Sequence, residues 1–434
     1  MGVRGKGMTF PQKGLPFPRL SSLTKDRMRI PPFSLSSAWG KLLTLTVTHA
    51  LVDSLGGLLP VILPVVRQRF GLGLAQAVVM LTVINLASNV FQVLTGHLRP
   101  HASCPLFLPI GLLLGGSICS LAFLPTGAGA FTILLLVVLV TGLGVAVAHP
   151  ESLRAVHALE AIPARISTPV FMTGGFFGYA VGAWICSLLV GRWGLVGLLA
   201  LLLPVAVMVL LILTGGIRLA VEPASGTELD ESVVEAAPTT AGAAPVMPFW
   251  RLFILALPTT AGAALLVSLL PTRLHELGFS LGFGGFSSML FGAGGAVGAL
   301  LLGVLAHRHD TRTGIRCMLM LGLPLLVAYL LLIRHPAAAA LLAGAGFCLG
   351  SVYSQLVALA RNAVDGPQLG MRMAWMVGGA WGVASLALFA QGQLAAVTSV
   401  QFVLHASWIS YGLALILAWA WLTPGRRRKS PTSR

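Results

Sequence analysis

Twelve apolar stretches, each about 20 residues long, follow one another along the 434 residues, and this succession constrains the fold more than any other feature. A hydrocarbon core about 30 Å thick takes about 20 residues of helix to cross. A helix also satisfies its own backbone hydrogen bonds where no water is available. The stretches run approximately over 42-66, 72-96, 105-124, 130-148, 168-190 and 194-214, then 250-271, 280-305, 316-333, 337-360, 371-391 and 400-422. Strand-type alternation is absent, which argues against a β-barrel. Only 9% of the residues are charged, against about 25% in soluble chains. The reading is an all-α membrane protein with twelve transmembrane helices.

The stretches fall into two sets of six, and this sets the expected domains: N-tail 1-41, six-helix bundle 42-215, linker 216-247, six-helix bundle 248-422 and C-tail 423-434. The linker holds five of the twelve acidic residues among Pro, Ala, Gly and Thr, a solvated composition. With the N-terminus in the cytoplasm, the tails and even-numbered loops carry 23 of the 28 Lys and Arg, and the far side keeps Arg67, Arg69, Arg192, Arg273 and Arg334. The positive-inside rule therefore places both termini in the cytoplasm. The net charge of +16 follows from this flanking pattern and from contact with anionic lipid, and no basic face with interleaved aromatics points to nucleic acid. The N-tail lacks the apolar core of a signal peptide, so no cleavage is expected, and Met28 opens a shorter and more typical beginning. Cys104, Cys119, Cys186, Cys317 and Cys348 have no CxxC pairing and read as small apolar residues.

The two halves correspond to each other. At an offset of 207, LPVVRQRFGLGLAQA from Leu63 lies over LPTRLHELGFSLGFG from Leu270, pairing Pro64 with Pro271 and Gly71 with Gly278. FMTGGFFGYA from Phe171 matches WMVGGAWGVA from Trp375 at an offset of 204. Two blocks in the same order point to a duplicated six-helix unit, and parallel repeats of this kind belong to alternating-access transporters.

Within these apolar spans a few residues carry chemistry. From Leu42 to Val66 the only ionisable side chains are His49 and Asp53, one helical turn apart on the same face. An ionised Asp at mid-bilayer costs about 2.5–3.5 kcal/mol, so intramembrane acids face wet cavities and are functional by default. Asp53 reads as a proton-coupling site with His49 as its partner, and a structural polar pair is the alternative. Asn85, Asn89 and Gln92 form a polar stripe that either lines a substrate path or bonds between helices. Phe171 and Trp375 lie beside the glycines as candidate substrate contacts, against core or lipid-facing roles. His149, Glu151 and Arg154 sit where the fourth span meets the cytoplasm, with Pro150 ending or kinking the helix. Glu151 and Arg154 at i, i+3 can pair as a latch, or form a solvated helix end. A metal site from His149 and Glu151 is not expected, because no third ligand has suitable spacing. Gly174, Gly178 and Gly182 share a helix face, and Gly378 with Gly382 repeats the spacing, which reads as close helix packing or as the smooth contact along which two bundles rock across each other.

Three stretches, HALVDSLGGLLPVILPVV, NLASNVFQVLTG, and AHPESLRAVHAL followed by TGGFFGYAVG, give the chain a resemblance to the major facilitator superfamily, and within it to bacterial fosmidomycin-resistance-type exporters. The resemblance implies two pseudo-symmetric six-helix bundles and a secondary transporter, often a proton-coupled exporter of small molecules. It also favours the gate role of His149, Glu151 and Arg154. The loop after the second span departs from the family, reading GHLRPHASCP without the usual acid and basic cluster, whereas GVLAHRHDTRTG in the second half keeps Arg308, Asp310 and Arg312. Gly182 is followed by Ala183 where the family tends to place proline, and PTTAGAALL replaces an arginine expected in the seventh span. Membrane-enzyme chemistry is disfavoured, since GxSxG and HExxH are absent. The overall expectation is a monomeric exporter of a drug or metabolite in a bacterial inner membrane, using protons and no cofactor. A transport-inactive sensor or scaffold and a metabolite importer remain as alternatives. With no interior Arg or Lys, a strongly anionic substrate is disfavoured.

Overall fold

The computed structural model describes residues 34–97, 106–219, 247–305, 310–361, 363–364 and 369–422. The N-tail up to residue 33, most of the linker, Cys104, Arg308 and the C-tail lie outside the described residues. Among the described residues all regular structure is helical. Ten stretches among the described residues are long and apolar enough to cross a membrane. The count reaches twelve for two reasons. The third span, Phe107–Ala122, is shorter than the others, and Ile166–Thr214 is a double crossing that turns at Gly194, whose φ of 62° is the left-handed region that favours glycine.

In chain order the spans are α1 (Ala38–Phe70), α2 (Leu74–His97), α3 (Phe107–Ala122), α4 (Ala130–His157), α5 (Ala164–Trp193), α6 (Gly194–Leu201 continued by Leu202–Thr214), α7 (Phe249–Glu276), α8 (Leu281–Leu305), α9 (Thr311–Leu331), α10 (Pro336–Arg361), α11 (Met371–Val397) and α12 (Val400–Trp421). The fourth span differs from its sequence reading. It continues through Pro150 to His157, so that proline does not end the helix, and His149 lies well inside it.

Packing follows the duplication. In the first half α1 lies against α5, α2 against α4, α3 against α4, and α3 against α6. The second half repeats each contact six helices later: α7 on α11, α8 on α10, α9 on α10 and α9 on α12. Gly71 and Gly278, aligned at offset 207, both close their helices with positive φ, 62° and 86°. The result is two pseudo-symmetric six-helix bundles, as the resemblance implies.

The bundles meet along α5 with α8, α2 with α11, and α1 with α7. Part of this seam lies toward the end of the molecule carrying Phe70 and Glu276. There a Cβ built on Gly285 would stand 2.6 Å from Ser187 Cβ, and one on Gly392 would stand 2.6 Å from Val78 Cβ. Gln393 Nε2 also donates to Ala75 O at 3.4 Å. Both glycine sets meet a neighbouring helix, but with different partners. Gly174, Gly178 and Gly182 lie against Thr46, Ala50 and Ser54 of α1, inside the first bundle. Gly378 and Gly382 instead face Val93 and Val90 of α2, across the seam. The same spacing serves internal packing in one half and the contact between bundles in the other.

Candidate functional site

Glycine allows α5 to approach α1 closely enough to build the site. A Cβ at Gly174, Gly178 or Gly182 would collide with Thr46, Ala50 or Ser54, each pair one turn further along. Ser54 Oγ lies 2.7 Å from Ala50 O and 2.8 Å from Gly178 O, so its hydrogen is shared between its own helix and α5. At the centre of this contact is Gly175. A Cβ there would stand 2.5 Å from Asp53 Oδ2 and 2.6 Å from His49 Nε2.

Asp53 sits between two imidazoles. His49 Nε2 is 3.4 Å from Asp53 Oδ2, the i, i+4 contact expected from the sequence. His149 Nε2, from α4, is 2.7 Å from Asp53 Oδ1. The two rings meet edge to face at 5.2 Å. His49 is buried, while the side chains of Asp53 and His149 keep 22% and 20% of their surface exposed, so the cluster has an open side.

The backbone fixes the tautomers. His49 Nδ1 is 2.9 Å from Phe171 O, and His149 Nδ1 is 2.9 Å from Val145 O. A carbonyl only accepts, so each Nδ1 carries a hydrogen and donates it. Both Nε2 atoms are thereby turned toward one carboxylate. The Asp53–His149 gap of 2.7 Å then holds one proton, on the nitrogen or on the oxygen, because two bare lone pairs at that distance repel. The three ligand-type atoms also lie within 4.8 Å of one another, a separation that suits a metal ion. The sequence pairs His149 with Glu151 and offers no third ligand, whereas the fold brings His149 to His49 and Asp53 of α1.

Other candidate residues are placed differently. Phe171 is buried, 2% exposed, and its ring stacks on His49 at 4.1 Å between centroids, so it holds the imidazole and does not line a path. Glu151 Oε1 accepts from Arg154 Nη1 at 2.6 Å and both residues are buried, which excludes the solvated helix end. His149 lies apart from this pair, since two residues along a helix turn about 200°. Asn85 Nδ2 donates to Leu81 O at 2.7 Å and Asn89 Nδ2 to Asn85 O at 2.8 Å, so these amides bond to their own helix, while Gln92 is half-buried beside them. Trp375 is 49% exposed and packs edge-on against Phe253 and Trp250, forming an aromatic surface between α7 and α11. Asp310 caps α9, accepting from Thr313 N at 3.3 Å. The second half has no counterpart of the cluster, for Ala256 and Thr260 occupy the positions of His49 and Asp53 at offset 207. Thr260 Oγ1 lies 3.3 Å from Ala380 O.

The profile of the Major Facilitator Superfamily matches residues 42–333 and again 252–434. The chain belongs to that superfamily. It is therefore a multi-pass membrane protein of that superfamily, built from the duplicated unit seen in the packing. It is 27% identical over 158 residues to the fosmidomycin resistance protein of Escherichia coli (strain K12). It is 29% identical over 161 residues to the uncharacterized MFS-type transporter YfnC of Bacillus subtilis (strain 168). Each match covers 36% of this chain and 38% of the relative, so the alignable part is well under half of either protein. Among solved structures, a mutant of the nucleoside transporter NupG superposes with a TM-score of 0.66 at 15% identity, covering 87% of this chain and 98% of that one. A D-xylose-proton symporter gives 0.65 at 14%, covering 89% and 98%. At these identities the likeness is one of fold.

Sequence reasoning missed Gly175 as the residue that seats the cluster and assigned His149 to a gate. A signal for the second was present: apart from Pro150, the text from Ala130 to His157 contains nothing that stops a helix.

Proposed function

We propose that this protein is a secondary active transporter that exports a small molecule in exchange for protons, by alternating access, with Asp53, His149 and His49 as the proton site. The observation that carries the reading is the Asp53–His149 contact of 2.7 Å with both Nδ1 atoms committed to carbonyls. That geometry is the loaded form. Loss of the shared proton leaves an acceptor facing an acceptor, which drives α1 and α4 apart at this point and couples proton occupancy to helix position. The partly open side of Asp53 and His149 gives the proton its route in and out.

The seam between the bundles, part of it toward the end at Phe70 and Glu276, supports a conformation closed at that end. The distribution of Lys and Arg favours placing that end outside and both termini in the cytoplasm, and the named bacterial relatives favour a bacterial inner membrane. The bundle boundaries at 42-215 and 248-422 and a monomeric working unit belong to the same reading. So does a gate formed by Glu151 and Arg154, with Arg308 and Asp310 in the second half. Export is favoured over import by the relative named for resistance to fosmidomycin. The one-sided cluster, lacking fixed cations, fits an uncharged or weakly charged substrate.

The test begins with susceptibility profiles of cells with and without the protein, fosmidomycin included, followed by flux of the identified compound in proteoliposomes under an imposed pH gradient. Wild-type protein is expected to drive outward flux, and Asp53→Asn at equal abundance to abolish the gradient-dependent part. Unimpaired gradient-driven flux in Asp53→Asn overturns the proton site. Inward flux identifies an importer, and the absence of flux for every compound tested identifies a sensor or scaffold.

A further inference from the structure

We infer that His49, Asp53 and His149 also form a binding site for a divalent transition-metal cation of the Zn2+ class, in which the metal displaces the proton shared within the cluster. The two imidazoles are arranged as metal-binding imidazoles are. Each donates Nδ1–H to a backbone carbonyl, at 2.9 Å to Phe171 O and 2.9 Å to Val145 O, which fixes the ring and leaves Nε2 as the donor atom. Both Nε2 atoms and a carboxylate oxygen converge within 4.8 Å.

Two nitrogens and one oxygen select borderline cations such as Zn2+, Co2+ and Ni2+, whereas Ca2+ and Mg2+ favour shells of oxygen. Bonds of about 2.0–2.1 Å in a tetrahedral site set ligand atoms roughly 3.3 Å apart. The His49–Asp53 separation of 3.4 Å already meets this. That contact is to Oδ2, whereas His149 Nε2 faces the other oxygen, Oδ1, at 2.7 Å, so one oxygen serves both rings after a small turn of the Asp53 carboxylate or the His149 ring, each partly exposed. Three protein ligands leave a fourth position for water on the partly exposed face. On binding, the hydrated cation loses its other waters, both Nε2 lone pairs and the carboxylate take their places, and the shared proton passes to solvent.

Occupancy ties α1 to α4 and fills the atoms assigned to proton exchange, so such a cation acts as an inhibitor. Binding itself requires neither transport nor a proton gradient, and its failure is therefore distinct from failure of the proton reading. The probe is Co2+, titrated into the full chain purified in detergent with any affinity tag removed. One Co2+ per chain with visible d–d absorption of a four-coordinate site is expected, displaced by Zn2+. His49→Asn and His149→Asn, each confirmed monodisperse, are expected to weaken Co2+ binding at least about tenfold. His335→Asn and the pair His307→Asn, His309→Asn are expected to leave it unchanged. No stoichiometric uptake by the wild-type protein overturns the site, as does uptake that survives both cluster variants. If the cluster variants do not stay folded, Zn2+ protection of Asp53 from a carboxyl-directed carbodiimide in wild-type protein decides, with absence of protection overturning the site.

Discussion

A hydrogen atom is all that position 175 can present to the cluster. The Cβ of an alanine would stand 2.5 Å from Asp53 Oδ2 and 2.6 Å from His49 Nε2, so either α5 retreats from α1 or the carboxylate turns away from its imidazoles. Gly175→Ala is expected to lower proton-coupled flux at least about tenfold, in line with the cost of misplacing a reacting group by 1 Å, while the protein still inserts and purifies as a monodisperse species. Wild-type flux from Gly175→Ala shows that the cluster tolerates displacement. At this scale the sequence was half legible. His49 and Asp53 were readable because four residues along a helix bring two side chains together whatever the rest of the chain does. His149 was not, since its contact with Asp53 spans 96 residues and depends on how α4 crosses α1. Phe171 was singled out for its ring, yet its carbonyl carries as much of the role, and no residue type announces that.

Among the helices, α4 bears a buried ion pair that the cluster does not explain. Arg154 Nη1 donates to Glu151 Oε1 at 2.6 Å, while Glu151 Oε2 and Arg154 Nε find no hydrogen-bond partner among the described residues. Removing one member of a buried pair leaves an uncompensated charge and costs about 3–5 kcal/mol, whereas replacing both with apolar residues of similar volume is close to neutral. Glu151→Gln and Arg154→Met singly are therefore expected to lower the thermal midpoint in detergent markedly, and Glu151→Leu with Arg154→Met to restore most of it. If the restored protein also transports at the wild-type rate, the pair is structural and the gate assignment fails. Additive losses refute the coupling itself. The i, i+3 spacing made this contact legible, but its burial was not, because a span read as ending at 148 places Glu151 and Arg154 in water.

For the whole molecule, duplication was legible because apolar packing preserves proline and glycine at the same depth in both halves, as at Pro64 with Pro271 and Gly71 with Gly278. Which glycines face the seam was not, because that depends on how the two bundles dock. Alternating access requires this seam to part, and Gly392 offers a way to bias the equilibrium. Its Cβ would stand 2.6 Å from Val78 Cβ, so a leucine overpacks the contact between α2 and α11 by about 1–3 kcal/mol. The opposite conformation separates those helices at this end and escapes the penalty. Gly392→Leu is thus expected to shift the population away from the conformation described here by about 5- to 150-fold. Gln68 and His275 are exposed and line one surface hollow at that end, between α1 and α7, so spin labels on Gln68→Cys and His275→Cys report the separation of the bundles there. Electron-spin distance measurements in a background freed of the native cysteines are expected to show a short distance in otherwise wild-type protein and a longer one with Gly392→Leu. An unchanged distribution in a folded protein means that the α2–α11 contact is no part of the moving interface, and that the bundles do not part along this seam.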